Sequence, residues 1–141
     1  MNAPIEYKTY SYNQTIDCGR ELAGTLKGGE VVILTGELGS GKTVFTKGIA
    51  QGLGIDDIVT SPSFTIMSHY RGELDLYHFD FYRLYDASEI DELLEDYLYR
   101  EDGVVVIEWG EEIMSELNMY ILVSFTIFPS FRKISIQRVK H

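Results

Sequence analysis

The sequence predicts an α/β fold: a mixed sheet with a parallel centre and antiparallel additions. Three observations predict it. Val31-Val32-Ile33-Leu34 and Val104-Val105-Val106-Ile107 are short, wholly apolar runs rich in β-branched residues, as in strands covered on both faces. A glycine loop from Gly36 to Thr43 separates the first run from Val44, Phe45, Ile49, Ala50 and Leu53, apolar at helical spacing. Residues 64–81 and 119–139 each read as two strands broken at turn residues, hence as hairpins. The strands at 30–35 and 104–108 are expected in the parallel centre, with the hairpins as the antiparallel additions.

The loop reads Gly36-Glu37-Leu38-Gly39-Ser40-Gly41-Lys42-Thr43. It meets the phosphate-binding pattern G-x-x-x-x-G-K-[ST] at every fixed position, in the strand–loop–helix context that pattern needs. This makes the expected architecture a P-loop NTPase-like three-layer fold. Without side chains at its glycines the loop can curl and turn successive N–H groups inward. Those groups and the positive end of the helix make a concave phosphate site. Lys42 is expected to reach the β- and γ-phosphates, and the Thr43 hydroxyl to ligate magnesium.

The other elements follow in chain order. Residues 5–10 read as an opening strand, and Ser11 or Asn13 as the cap of a helix running to about Leu26. Ile16, Leu22, Ala23 and Leu26 form its inner side, and Gly28-Gly29 stops it. Cys18 falls in that pattern as a small core residue. Gly52 and Gly54 close the helix after the loop. In Thr60-Ser61-Pro62-Ser63-Phe64, Pro62 holds Ser61 extended. Two hydroxyls beside a stiff proline suit a loop that senses phosphate or magnesium; a plain loop into a strand fits the same residues.

The strands 64–70 and 74–81 join at Arg71-Gly72-Glu73. The period of two puts Leu74, Leu76, His78 and Asp80 on one face and Tyr77, Phe79 and Phe81 on the other. The first face runs from apolar to polar, as where a strand leaves the core and enters a site. Asp80 is therefore expected near magnesium or the attacking water. His69 and His78 with one carboxylate show no recognised zinc spacing. From Asp86 to Asp102 the chain is crowded with acids, and Ser88 is placed to cap a helix carrying Ile90, Leu93 and Leu94. A solvated face and a docking surface for a basic partner both fit it.

The run 104–107 ends in Glu108, the shape of the second phosphate-site motif. A parallel strand beside the first would deliver Glu108 next to Thr43 and its magnesium. Trp109, the sole tryptophan, suits the edge of the site or the core equally. The last hairpin turns at Pro129-Ser130, and Arg132, just after the turn, either faces a base or ribose or is a surface arginine.

The 141 residues, 45% of them hydrophobic, suit one domain spanning 1–141 with a real core. A formal net charge of -10 repels a phosphate backbone, which argues against unaided nucleic-acid binding and for a basic or neutral protein partner. One cysteine excludes a disulfide framework and fits a reducing compartment. No signal layout opens the chain and no apolar stretch is long enough to span a bilayer, so a cytoplasmic protein with no membrane partner is expected.

Taken together, the chain resembles the TsaE family, small ATPases of bacterial threonylcarbamoyladenosine synthesis on tRNA. The resemblance spans nearly the whole chain. It rests on the glycine loop at 36–43, Ser-Pro-Ser-Phe at 61–64, His-Phe-Asp-Phe-Tyr-Arg at 78–83 and Ile-Glu-Trp at 107–109. The loop is shared by many nucleotide enzymes; the 78–83 stretch followed by Glu-Trp is far more specific. The resemblance implies ATP and Mg2+ as cofactors, bound by the loop residues Glu37 to Val44 together with Ser61 and Ser63 of a switch loop beside the γ-phosphate. It implies magnesium and hydrolysis roles for Asp80 and Glu108, with Thr43 as the other metal ligand and Lys42 catalytic. It also implies that Thr15, Trp109 and Arg132 lie near the nucleoside end. Ser63 stands where the family usually has threonine, and keeps the hydroxyl. The implied partners are TsaB and TsaD. TsaD transfers the threonylcarbamoyl group to tRNA, and the small ATPase resets the complex, meeting tRNA only indirectly.

On that reading the chain is a magnesium-dependent ATPase, slow alone and activated by its partners. Arg83 is a candidate finger in cis, unless the partner supplies one. A small-molecule kinase would need an acceptor site and a lid with several arginines, whereas the arginines here are scattered. A non-hydrolysing adaptor would not need two acids beside three phosphates. A GTPase would carry an Asn-Lys-x-Asp motif, which is absent.

Overall fold

The computed structural model describes residues 3–62, 66–82 and 86–141. Seven strands of these residues form one mixed sheet: β1 (Ile5–Thr9), β2 (Val31–Thr35), β3 (Met67–Tyr70), β4 (Asp75–Asp80), β5 (Gly103–Glu108), β6 (Met119–Ile127) and β7 (Arg132–Lys140). Their order across the sheet is β1-β7-β6-β2-β5-β4-β3. Among the described residues three helices accompany them, α1 (Tyr12–Ala23), α2 (Lys42–Gly52) and α3 (Ala87–Leu94), with a 3₁₀ segment at Glu111–Glu116.

The sheet is mixed with a parallel centre, and that centre is wider than the two strands the sequence reading placed there. β2 is parallel to both β5 and β6, and β4 is parallel to β5. Arms of a hairpin run oppositely, so one arm of each can follow the centre while the other cannot. The arm that joins is the more buried one. β4 is buried at its four inner positions, whereas β3 is only partly covered. β1, β3 and β7 supply the antiparallel additions.

Apolar side chains on the two faces of the sheet build two cores, giving three layers. On one face Val32, Leu34, Leu76, Val104 and Val106 pack with Phe45 and Ile49 of α2 and Leu22 of α1. On the other, Val31, Ile33, Phe79, Val105 and Ile107 pack with Ile90 and Leu94 of α3 and Ile113. The face assignment of β4 therefore holds, with Leu76 in the first core and Tyr77, Phe79 and Phe81 in the second.

Three local expectations are corrected. Of the two capping candidates for α1 it is Ser11 that caps, its hydroxyl accepting the Gln14 amide, and the helix ends at Ala23 rather than near Leu26. Leu26 is still buried, because the chain folds back onto the core after Gly24. The cap of α3 is Asp86 rather than Ser88: its carboxylate accepts the Glu89 amide at 2.8 Å and also the Ser88 hydroxyl at 2.8 Å. A charged acceptor at a helix N-terminus outcompetes a neutral one. Leu93 is exposed, so α3 buries only the face carrying Ile90 and Leu94.

α1 and α2 pack through glycine. A Cβ on Gly19 would stand 2.2 Å from the Phe45 carbonyl oxygen, and one on Gly48 would stand 2.1 Å from that of Ile16. The two backbones therefore touch directly, which fixes α2, and the loop at its start, against the sheet.

Candidate functional site

β2 runs buried to Leu34 and delivers the loop at its C-terminal end. Gly39 and Gly41 take φ of +78° and +110°, conformations that L side chains rarely adopt. Gly41 is the N-cap of α2, no side chain caps this helix end, and no acid lies in its first turn. The first amides of α2 are thus left for an anionic ligand, and the helix dipole favours one there.

Strand register assembles the rest. In the pairing of β4 with β5, Asp80 stands opposite Glu108, and Glu108 pairs with Leu34 across to β2. Both acids therefore emerge at the C-terminal ends of parallel strands, where open α/β sheets place ligands. They line a cleft of about 530 Å³ together with Leu38, Gly39, Gly41, Lys42, Thr43 and Val44 of the loop region. Ser61, Tyr82 and Trp109 line it too.

Within the cleft Lys42 is 5% exposed. Its Nζ donates to the Gly36 carbonyl at 2.6 Å and lies 3.7 Å from the centroid of the Trp109 ring. Burial draws the Lys42 ammonium below the ordinary lysine range, while Glu108, Glu111 and Asp80 hold it up. The Thr43 and Ser61 hydroxyls share a hydrogen bond of 2.8 Å, which ties the 60–62 loop to the start of α2 beside the glycine loop. Asp80 accepts the Tyr82 amide at 3.0 Å. Burial raises the Asp80 carboxyl above the ordinary aspartate range; that amide lowers it, and the Glu108 charge raises it again.

Glu108 is 3% exposed, and its Oε2 lies 2.7 Å from Nε2 of His78, which is fully buried. The sequence reading gave His78 no role at the site: it weighed the residue as a weak zinc candidate and counted it in the 78–83 stretch that carries the family resemblance. Its tie to Glu108 needs the β4–β5 register, which has no signature in the sequence; the one legible hint is that His78 shares a strand face with Asp80. Trp109 follows with φ +61°, the left-handed region, which costs a non-glycine residue roughly 1–2 kcal/mol. This turn lays its ring against Lys42 and against Tyr82, whose centroid is 4.9 Å away. Tyr82, like His78, belongs to the stretch that carries the resemblance, and sequence reasoning assigned it no role at the site.

The structure divides the remaining candidates. Thr15 and Arg132 line a second hollow of about 290 Å³, with Tyr12 and Phe131, on the side of the loop formed by α1 and the start of β7. Thr15 is buried there and bonds Thr9 through their hydroxyls at 2.9 Å. Gly39, Ser40, Gly41 and Val44 border this hollow, and Trp109 stands in the first cleft instead. Ser40 is buried, and its hydroxyl has no hydrogen-bond partner among the described residues. Glu37 is exposed at the crown of the loop and lines neither hollow. Ser63 and Arg83 lie outside the described residues.

The donor set is hard: one hydroxyl and two carboxylates, beside an uncapped helix N-terminus and a lysine. That set fits a magnesium ion bridged to phosphate, which takes only one or two carboxylates and completes its shell with phosphate oxygens and water. Among the described residues no group of three or more His, Cys, Asp or Glu is arranged to hold a metal ion by itself. No helix among the described residues is long and apolar enough to cross a membrane.

Comparison with known proteins bears on this site. Residues 9–135 match the family model described as threonylcarbamoyl adenosine biosynthesis protein TsaE. The chain is 44% identical over 110 residues to the tRNA threonylcarbamoyladenosine biosynthesis protein TsaE of Treponema pallidum, covering 78% of this chain and 82% of that one. It is 44% identical over 114 residues to the protein of the same name from Bacillus subtilis, covering 80% and 71%. The crystal structure of Bacillus subtilis YdiB superposes with a TM-score of 0.82 at 33% identity, covering all of this chain and 88% of the other.

Proposed function

Because the chain belongs to the TsaE family of threonylcarbamoyladenosine biosynthesis, we propose that it binds ATP with magnesium at the glycine loop and hydrolyses it. Hydrolysis in this reading drives turnover of a TsaB–TsaD complex, which performs the transfer to tRNA in the cytoplasm. The observation that carries the proposal is the convergence of Lys42, Thr43, Asp80 and Glu108 on one cleft beside an uncapped helix N-terminus.

The α2 amides and the loop hold the phosphates. Lys42 exchanges the Gly36 carbonyl for phosphate oxygens, and its partial desolvation strengthens that attraction. Thr43 and Glu108 would hold the metal, which would supply neutralisation of the charge developing on the transferred phosphoryl group. Asp80 orients the attacking water or completes the metal's shell. Ser61, bonded to the Thr43 hydroxyl, links the state of the site to the switch loop. Catalysis is then positioning and charge stabilisation with little covalent chemistry. The net charge of -10 suits a protein that meets tRNA through its partners.

The test is ATP hydrolysis by the protein alone, and then with TsaB, TsaD and substrate tRNA, for wild type and Glu108→Ala. The expected result is stimulation by the partners and a loss of about 100-fold or more in the variant. Equal rates in all four mixtures would refute the proposal.

A further inference from the structure

We infer that His78 is a positioning residue for Glu108: its imidazole donates Nε2–H to Oε2 and so presents the other carboxylate oxygen to the cleft. The inference rests on the reading of Glu108 as the acid of the phosphate site. Its physical basis is independent of any ligand.

His78 is fully buried, lines neither hollow, and lies 2.7 Å from Glu108 Oε2. It therefore acts only through Glu108. Its Nδ1 has no hydrogen-bond partner among the described residues. A proton on Nδ1 would be a buried donor without an acceptor, a rarer state than a bare acceptor. The proton is accordingly assigned to Nε2, where it makes a hydrogen bond to a carboxylate, one of the stronger kinds.

The core does not require this pair. His78 sits on the strand face that carries Leu76, beside Val104 and Val106 of β5, where an apolar residue would pack without leaving a bare nitrogen. Replacing both members of a buried polar pair by apolar residues is often neutral or stabilising, whereas removing the histidine alone leaves the buried Glu108 carboxylate without this partner and is destabilising. What the histidine supplies is orientation: a glutamate at a strand end has three side-chain torsions, and one bond to a rigid, packed ring removes most of that freedom. Hydrogen bonds that hold a ligating carboxylate typically matter 10–100-fold in metal affinity or activity.

The test uses His78→Phe, which keeps a ring and removes the donor, and His78→Gln, which keeps an N–H at a similar reach. Nitrogen NMR of the nucleotide-free wild type should find the proton on Nε2, and the Glu108 carboxyl carbon should shift in His78→Phe and return toward wild type in His78→Gln. In binding, His78→Phe should hold ATP without magnesium within about two-fold of wild type. It should lose about ten-fold or more of the tightening that magnesium brings, and as much of kcat in the partner complex. His78→Gln should recover most of both. An Nε2 that carries no proton overturns the inference, as does a His78→Phe protein with the magnesium gain and kcat of wild type, or a Gln variant no better than Phe. Should His78→Phe fail to fold, the wild-type tautomer and the Gln variant still decide. Should the wild type hydrolyse nothing even with its partners, the functional reading fails, while the tautomer and the Glu108 carbon shift still judge His78.

Discussion

Gly48→Ala tests the claim that α2 is fixed by direct backbone contact with α1. The added Cβ would lie 2.1 Å from the Ile16 carbonyl oxygen, where ordinary contact begins at 3.4 Å, so the helices must part by about 1.3 Å. The obstacle is backbone and cannot rotate away. Alanine gains about 1 kcal/mol of helix propensity over glycine. Overpacking of a well-packed site costs about 1–3 kcal/mol, and parting the helices also loosens Phe45 and Ile49, both fully buried. The net expectation is a loss of about 2 kcal/mol. With an unfolding entropy of about 2.1 cal/mol/K per residue, that lowers Tm by roughly 7 °C in a chain of 141 residues. The assay is thermal and urea denaturation beside Gly24→Ala as control. Gly24 has φ -62° and its nearest contact would be 3.4 Å, so alanine there is expected to be neutral or to stabilise by up to about 1 kcal/mol. If Gly48→Ala were as stable as wild type, or if both variants moved together, the close-packing argument would be wrong.

Three further predictions follow from the charges and rings. Burial raises the Asp80 carboxyl, so its contribution to stability is complete below the ordinary aspartate value and is lost as pH rises through the folded value. Asp80→Asn should therefore be more stable than wild type at neutral pH, by no more than about 1 kcal/mol because solvent at the cleft screens the effect, and the advantage should shrink toward pH 4; urea midpoints against pH check this, and a destabilised variant at pH 7 contradicts it. Burial, followed by the Glu21 charge, pushes the Cys18 thiol up to about 12, so the folded chain should resist iodoacetamide at pH 8 and react once urea unfolds it. The linked stability is intact below pH 9 and lost between pH 9 and 12, a decline absent from Cys18→Ala. Finally, phosphate should draw Lys42 off the Trp109 ring, so nucleotide should change the emission of the sole tryptophan. Lys42→Ala should show altered emission before any nucleotide is added, and identical spectra would remove the contact.

Much of the site is written locally. The glycine loop, its flanking strand and helix, and the acid closing β5 are each encoded within a dozen residues, because turn conformation and apolar periodicity act between near neighbours. The two-sided burial of β2 and β5 is equally plain in their unbroken apolar runs. The sequence by itself thus determined where the glycine loop and the acid closing β5 would lie and which layers would surround them. It did not determine that β4 and β6 run with the centre, that Asp80 faces Glu108, or that His78 holds that acid. Nor did it determine that Gly19 and Gly48 let α1 and α2 touch, or that Trp109 turns back over Lys42. Each of these depends on registers and contacts between residues 26 or more positions apart, apart from the turn at Trp109, whose left-handed backbone is held by the packing of its ring. Such pairings are chosen by the joint burial of both cores rather than by any local preference, so only the assembled sheet decides them.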